Sequence, residues 1–522
     1  MHNELQLILT PEQAYKQDML TKQVADKLQI SPKSITRLRT LKKSIDSRAF
    51  LPKVNVTVEV YWDEEAPKIV MPEFHYEFVG DKTPVIIIGA GPAGLFAALK
   101  LIESGLKPII LERGKNTHER KVDIAQLHRN KGIDAESNYC FGEGGAGTFS
   151  DGKLYTRSKK KGNSQRIFEI FRFHGADESI LYEAHPHIGS DKLPVVIENI
   201  SKTITSCGGE IHFEQKLVEI LLKDKQVVGC KTADGSIFEA KSLILATGHS
   251  AHDIYEMLDK QGIALEVKGF AMGVRVEHPQ KMIDSIQYHC QERSEYLPAA
   301  SYNLVDQVNE RGVYSFCMCP GGHIVPAGSG TNEIVVNGMS ASQRNSPYAN
   351  SGIVVEIRPE DIPEDFQQYG VLAGLKFQQY VENLAYTNNG GLGQVAPAQR
   401  LYDFVKGKLS PDLPECSYLP GLISSPLHFW LPDIISSRLR EAFKKFDRKM
   451  HGYLTNQAVV VGVESRSSAA VRVPRDSETG QHPDISGLFP AGEGSGYSGG
   501  ITSSAIDGEN AAEKVTLSII QK

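Results

Sequence analysis

No stretch of this sequence approaches the roughly 18 uninterrupted apolar residues of a membrane span. Its first residues, MHNELQLILTPEQAYKQ, hold no basic segment followed by an apolar run. Neither a membrane protein nor a secretory leader is expected, and the chain reads as cytoplasmic. Cysteine is sparse: seven residues (140, 207, 230, 290, 317, 319 and 416), an odd number, in a chain of 522, which fits a reducing compartment better than a disulfide framework. An excess of one charge is missing too. The formal net charge of -6 is small for this length, so non-specific nucleic-acid binding by the whole chain is not implied. What is present, 40% hydrophobic and 23% charged residues, is the composition of a globular protein. At about 100 to 200 residues per domain, roughly three domains are expected.

Residues 1 to about 62 read as a separate module: a strand over Leu5–Leu9, two short polar helices, and a strand over Val54–Tyr61 whose valines alternate. An acidic, proline-bearing connector, DEEAPKIVMPE, leads out of it, and the module with its connector is assigned 1–78. The second helix, SPKSITRLRTLKKSIDSR, gathers Lys33, Arg37, Arg39, Lys42, Lys43 and Arg48, and a basic helix can be a nucleic-acid surface. No aromatic or base-reading residues are interleaved with these charges, so a solvated face docked on the next domain is the preferred reading.

The register changes at PVIIIGAGPAGLFAALKLIESGLKPIILER. Val85–Ile88 suit a parallel strand buried on both faces, Pro92–Ser104 are helical in pattern, and Lys107–Leu111 form a second strand, one βαβ unit. Gly89, Gly91 and Gly94 therefore follow a strand and open a helix, the context that makes GxGxxG a dinucleotide fingerprint. Gly89 permits the turn, Gly91 with Pro92 and Ala93 brings the backbone and the helix N-terminus to a pyrophosphate, and Gly94 lets the helix approach the sheet. Glu112 ends the second strand where a carboxylate accepts hydrogen bonds from both ribose hydroxyls. The glycine-rich stretch FGEGGAGTFSDGKLY (141–155) comes where the chain can cross the cofactor. Gly145, Ala146, Gly147, Ser150, Asp151, Gly152 and Lys153 are its candidate contacts.

GAGPAG with Glu112-Arg113, LILATGH with Thr247-Gly248, and LFPAGEGSGYSGGI near the C-terminus together resemble the FAD-binding domain of the two-domain flavoprotein superfamily that includes glutathione reductase and p-hydroxybenzoate hydroxylase. That resemblance implies cofactor contacts from Gly492, Glu493, Gly499, Gly500 and Ile501, with the Val218 backbone against the adenine. The stretch FGEGGAGTFSDGKL, with GFAMGVRVEHPQ, YSFCMCPGG, VVNGMSASQRNS, APAQRLYDF and VGVESRSSAAVRV, is similar to a narrower group, bacterial FAD-dependent dehydrogenases of uncharacterised substrate. The expected fold is α/β. It comprises a Rossmann-like FAD domain with a parallel sheet (79–255, closed by 455–522), an inserted α+β substrate domain (256–454) and the small N-terminal α+β module.

Residues acting beside the flavin are expected from the inserted domain. Arg275, in GVRVEHP, and Arg466 are candidate anion anchors, with Arg400 a similar candidate, because a guanidinium fork matches carboxylate or phosphate. They make an anionic small-molecule substrate an expectation. Cys317 and Cys319 are separated by one residue, too close for an unstrained disulfide, so a lone thiol near the flavin is the functional reading and a packing cysteine the other. His249 with His252, and His185 with His187, lack two further ligands, and no metal site is expected. No second glycine fingerprint follows a strand in the inserted domain, so NAD(P)H is expected only as a donor docking transiently in the substrate cleft. The function read is an FAD-dependent oxidoreductase. The alternatives are a flavin-containing RNA-binding or RNA-modifying protein using the basic module, and a flavin sensor without turnover.

Overall fold

The computed structural model describes residues 1–68, 71–156 and 162–520; Ile69 and Val70 of the connector lie outside the described residues. Val85, Ile86 and Ile87 are fully buried, as a continuous β-branched strand covered on both faces requires. They belong to a parallel five-stranded sheet ordered Leu488–Pro490, Leu243–Leu245, Pro84–Ile88, Lys107–Leu111, Glu210–His212. The helix Pro92–Glu103 follows the central strand, and the C-terminal helix Ile501–Ile520 packs along it. That contact is backbone to backbone. A Cβ on Gly508 would sit 2.0 Å from the Ala93 carbonyl oxygen, and one on Gly94 would sit 1.9 Å from that of Gly89. The architecture is the α/β class that the sequence implies.

The inserted region forms a seven-stranded sheet ordered Val305–Val308, Arg311–Cys319, Tyr348–Ile357, Phe270–Pro279, Val459–Glu464, Ala396–Arg400, Leu422–Ser424, antiparallel except for its last pair. Helix Asp433–Lys449 covers it with an apolar stripe at helical spacing: Ile435, Leu439, Phe443 and Phe446 are fully buried. The strand Val459–Glu464 lies beside Phe270–Pro279 in this sheet. A division at residue 455 is therefore too early, and the chain rejoins the parallel sheet only at Leu488. Valine-rich strands look alike in sequence, and only pairing reveals which sheet takes them.

In the N-terminal module Val54, Val56, Val58 and Val60 are buried against Leu20 and Val24 of the helix Gln17–Leu28. The expected second helix is not one. After a short turn at Pro32–Ser34 the chain runs as a strand, Ile35–Asp46, paired antiparallel along Lys53–Trp62. Cross-strand packing overrides local propensity here. Two of the basic residues are engaged on this strand. Arg37 stacks over Tyr61 at 4.4 Å and pairs with Glu59 at 3.4 Å, and Lys43 is buried with its ammonium 4.3 Å from the Tyr15 ring centre. The edge of the strand docks on the FAD domain, the Lys43 N–H donating to the Tyr182 carbonyl at 2.9 Å and the Ala184 N–H to that of Lys43 at 2.9 Å.

A buried arginine ties together strands of the seven-stranded sheet. Arg275, fully buried, donates to Glu464 at 2.8 Å, Asn350 at 2.8 Å, Asn337 at 3.1 Å and the Cys317 carbonyl at 2.6 Å. Burial pushes the Glu464 carboxyl up to about 7 against the pull of Arg275. Among the described residues no helix is long and apolar enough to cross a membrane.

Two stability predictions follow from this packing. Gly508→Ala must move the C-terminal helix off Ala93, an overpacking expected to cost about 1–3 kcal/mol in denaturant unfolding. Glu464→Ala leaves Arg275 buried without a counter-charge and is expected to cost about 3–5 kcal/mol, with Glu464→Gln costing less because it keeps one acceptor.

Candidate functional site

Where the parallel strands end, the carboxyl ends of Ile88, Leu111 and Ala246 open on a cleft of about 350 Å³, within the range of small-molecule sites. The turn Gly89–Gly91 enters it first. Gly89 has φ of +103°, and a Cβ there would lie 2.5 Å from the Ala246 carbonyl oxygen, so no other residue fits. No side chain caps the helix at Gly91, leaving its first N–H groups and positive dipole end directed at the cleft, where Gly91, Pro92 and Ala93 line the wall. Gly94 does not line it and serves only the helix packing described above.

The glycine-rich stretch crosses this turn. The Gly144 N–H donates to the Ala90 carbonyl at 2.8 Å, and a Cβ on Gly145 would stand 3.1 Å from the Gly91 Cα. Gly145, Ala146, Gly147, Ser150, Asp151, Gly152 and Lys153 all line the cleft. Two of them are engaged elsewhere: the Ser150 hydroxyl donates to the Gly147 carbonyl at 2.7 Å, and the buried Asp151 carboxylate pairs with Arg344 at 2.6 Å and Lys153 at 3.2 Å. Sequence reasoning missed what holds this loop. Arg120, fully buried, donates to the carbonyls of Asn138, Tyr139 and Glu143 at 2.7, 3.0 and 2.8 Å, and burial pushes it down to about 10. Nothing in the helical pattern around it marks this arginine from its charged neighbours.

Glu112, Arg113 and the unforeseen Lys216 and Leu217 also line the cleft. Glu112 departs from the simple expectation of two ribose contacts. Its oxygens already accept from the N–H groups of Ala90, Gly114 and Gly142 at 2.8, 2.9 and 2.9 Å, so it holds three loop backbones together and keeps one acceptor position. Arg113 lies over the Phe141 ring at 4.0 Å and pairs with Glu136 and Asp253. Val218 does not reach the cleft: it is an exposed residue of the strand Leu217–Lys223, and Leu217, one position earlier, lines the wall. The strand carries an extra residue at Val218, its pairing shifting between Leu217 and Glu219, and this bulge turns Val218 away from the cleft.

Thr247, Gly248, His249, Glu493, Gly499, Gly500 and Ile501 complete the lining, with Phe316, Cys317, Asn337 and Arg466 contributed by the inserted domain. A Cβ built on Gly248, Gly499 or Gly500 meets no atom within 4 Å, so side chains there would project into the cleft. The Gly492 N–H donates to Asp507 at 2.7 Å; that residue shapes the turn and does not line the wall. These glycines, the two helix N-termini and the surviving acceptor of Glu112 fit an extended dinucleotide.

The proposed anion anchors do not stand as expected. Arg466 lines the cleft, but its N–H groups go to Glu382 at 3.0 and 2.8 Å, Glu333 at 2.7 Å and Ser329 at 2.7 Å. Arg275 lies behind the wall with its donors occupied, and Arg400 pairs with Asp412 away from the cleft. Burying a guanidinium without partners is too costly, so these residues took carboxylates of their own. Of the two cysteines, both free, Cys317 lines the cleft and Cys319 is buried behind it.

Residues 83–271 match the family described as pyridine nucleotide-disulphide oxidoreductase, residues 269–467 that described as FAD-dependent protein, C-terminal domain-like, and residues 1–61 a domain of unknown function. An uncharacterized protein of Clostridium beijerinckii is 39% identical over 519 residues, 95% of this chain and 96% of its own. Protein FixC of Escherichia coli is 26% identical over 203 residues, 38% of this chain and 44% of its own. A flavoprotein/dehydrogenase from Cytophaga hutchinsonii aligns over 84% of this chain and 79% of its own, with 11% identity and a TM-score of 0.36. With a relative 39% identical along almost the whole length, and flavoprotein families matching on both sides of residue 270, the chain belongs to the FAD-dependent oxidoreductase family that carries this C-terminal domain.

Proposed function

We propose that the protein holds FAD along this cleft and uses it to oxidise or reduce a small molecule admitted beside Cys317, Asn337 and His249. The observation that carries the reading is the convergence of four separate glycine turns, at 89–91, 145–147, 248 and 499–500, on one cleft wall. Gly91, Ala93 and the 145–147 turn would hold the phosphates through backbone N–H groups. Glu112, Arg113 and Lys216 would receive the adenosine, and the N-terminus of Ile501–Ile520 would face the flavin ring, where a positive dipole end favours the negative charge of the reduced form. Bound there, FAD supplies the electron transfer.

The chain's own residues position and enclose. Glu382 and Glu333 fix Arg466 in the wall, and Arg275 holds the strand end that carries Cys317. The five-stranded sheet is the single parallel dinucleotide-type sheet among the described residues. On this reading a nicotinamide donor has no domain of its own and docks transiently in the substrate cleft. Since neither buried arginine keeps a donor free, the preference for an anionic substrate loses its main support.

The purified protein is expected to be yellow, with the absorbance of oxidised flavin. The nearest atom to a Cβ on Gly91 is 3.8 Å away, so Gly91→Leu is expected to leave the unfolding midpoint nearly unchanged while flavin content falls at least tenfold. Equal flavin content in the variant would count against the cleft as the site. Anaerobic addition of NADH or NADPH is expected to bleach the flavin absorbance; no bleaching by either would favour a different donor or a sensor.

A further inference from the structure

Cys317 stands in a geometry that packing does not account for. Its φ is +46°, a left-handed conformation that costs a residue with a side chain about 1–3 kcal/mol. The strand Arg311–Cys319 breaks register at this point: Phe316 faces Gly352 and Cys319 faces Asn350, so the strand carries one residue more than its partner. Such a bulge re-aims a side chain, and here it sends Cys317 to the cleft wall while Cys319 stays buried.

Around the sulfur the charges are chosen from several elements. The Lys153 ammonium, from the glycine-rich loop, lies 4.0 Å from the Cys317 sulfur and 3.6 Å from that of Cys319. Arg275, on the strand Phe270–Pro279, donates to the Cys317 carbonyl at 2.6 Å and lies 3.8 Å from the Cys319 sulfur. Opposing them are Asp151, paired to Lys153 at 3.2 Å, and Glu464, paired to Arg275 at 2.8 Å. The Cys319 side chain beside it, with Lys153 and Arg275, holds the Cys317 thiol well below its ordinary range, while Cys319 is pushed well above. The Cys319 thiol donates to the Cys317 carbonyl at 3.3 Å, a bond that requires the proton on Cys319 and leaves Cys317 as the sulfur exposed to the cleft.

We propose that Cys317 rests as a thiolate in the wall of the cofactor cleft, with Lys153 as its counter-ion and Cys319 as its protonated neighbour, and that it is a nucleophile toward soft sulfur electrophiles. The matching substrate class is a small disulfide. The thiolate attacks one sulfur, a Cys317–S bond forms as the disulfide's S–S bond breaks, and the leaving thiolate departs with the electron pair and takes a proton from water. Cys317 sulfur is oxidised and the leaving sulfur reduced, so no further reductant enters this step. That this happens beside a flavin rests on the function proposed above; the state of the thiol does not.

The test is alkylation of the full-length protein with iodoacetamide, as purified and after flavin removal, with each of the seven cysteines followed by peptide mapping between pH 5.5 and 9. An ordinary thiol of pKa about 8.5 gains nearly tenfold in rate per pH unit across this range, whereas a thiolate reacts at a nearly constant rate. Cys317 is expected to give a flat profile that becomes pH-dependent in Lys153→Met and is restored in Lys153→Arg. Each unit of depression gains about tenfold in thiolate and loses about threefold in nucleophilicity, so at pH 6 labelling of Cys317 should exceed that in Lys153→Met by at least threefold. Oxidised glutathione is expected to form a mixed disulfide at Cys317 first. A steep ordinary profile at Cys317, an unchanged profile in Lys153→Met, or no labelling of Cys317 at any pH in the flavin-free protein would overturn the proposal. Protection of Cys317 when FAD is added back tests the shared cleft separately: its absence, with the flat profile intact, would count against the flavin placement alone.

Discussion

Close backbone packing around the turn Gly89–Gly94 is the constraint on which the rest of the structure depends. The helix Pro92–Glu103 must sit almost on the Gly89 carbonyl, the C-terminal helix almost on the Ala93 carbonyl, and the glycine-rich loop almost on Gly91. The two helix approaches are possible only because side chains are missing at Gly94 and Gly508. Together they bring two helix N-termini and three loops to the carboxyl edge of one parallel sheet, where strand carbonyls and helix dipoles leave unsatisfied backbone groups facing outward. A single residue, Glu112, ties three of these loops through their N–H groups.

The inserted domain meets this edge with buried charge. Arg275 with Glu464, and Arg466 with Glu382 and Glu333, are ion pairs in an apolar setting, where the gain from pairing must offset the loss of hydration. Their effect is positional. Arg275 holds the carbonyl of Cys317 where the strand bulges, and Arg466 joins the residues 329–333 to the helix Ala373–Thr387 behind the cleft. The wall opposite the glycine turns is therefore stiffened by charge, and the turns by steric contact.

Legibility in the sequence varied with the range of the interaction. Gly89, Gly91 and Glu112 could be read because a strand, a turn and a helix within about 25 residues impose their own spacing. The alternating valines at 54–60 told their buried face. The segment 35–46 could not be read, since its charges hide a strand whose reason is its partner at Lys53–Trp62. The same holds for Val459–Glu464, whose sheet is chosen by a strand nearly two hundred residues earlier.

By itself the sequence determined the nucleotide-binding turn and its acidic partner, the buried face of the valine strand at 54–60, and the kinship with flavoproteins, because each is written in local periodicity or in a contiguous motif. The tertiary structure alone decided that Arg275 and Arg466 are bound to carboxylates of their own, that Leu217 and not Val218 reaches the cleft, and that Lys153 meets Cys317. These are pairings between segments remote along the chain. A desolvated charge selects its partner by distance in space, which no spacing along the chain records.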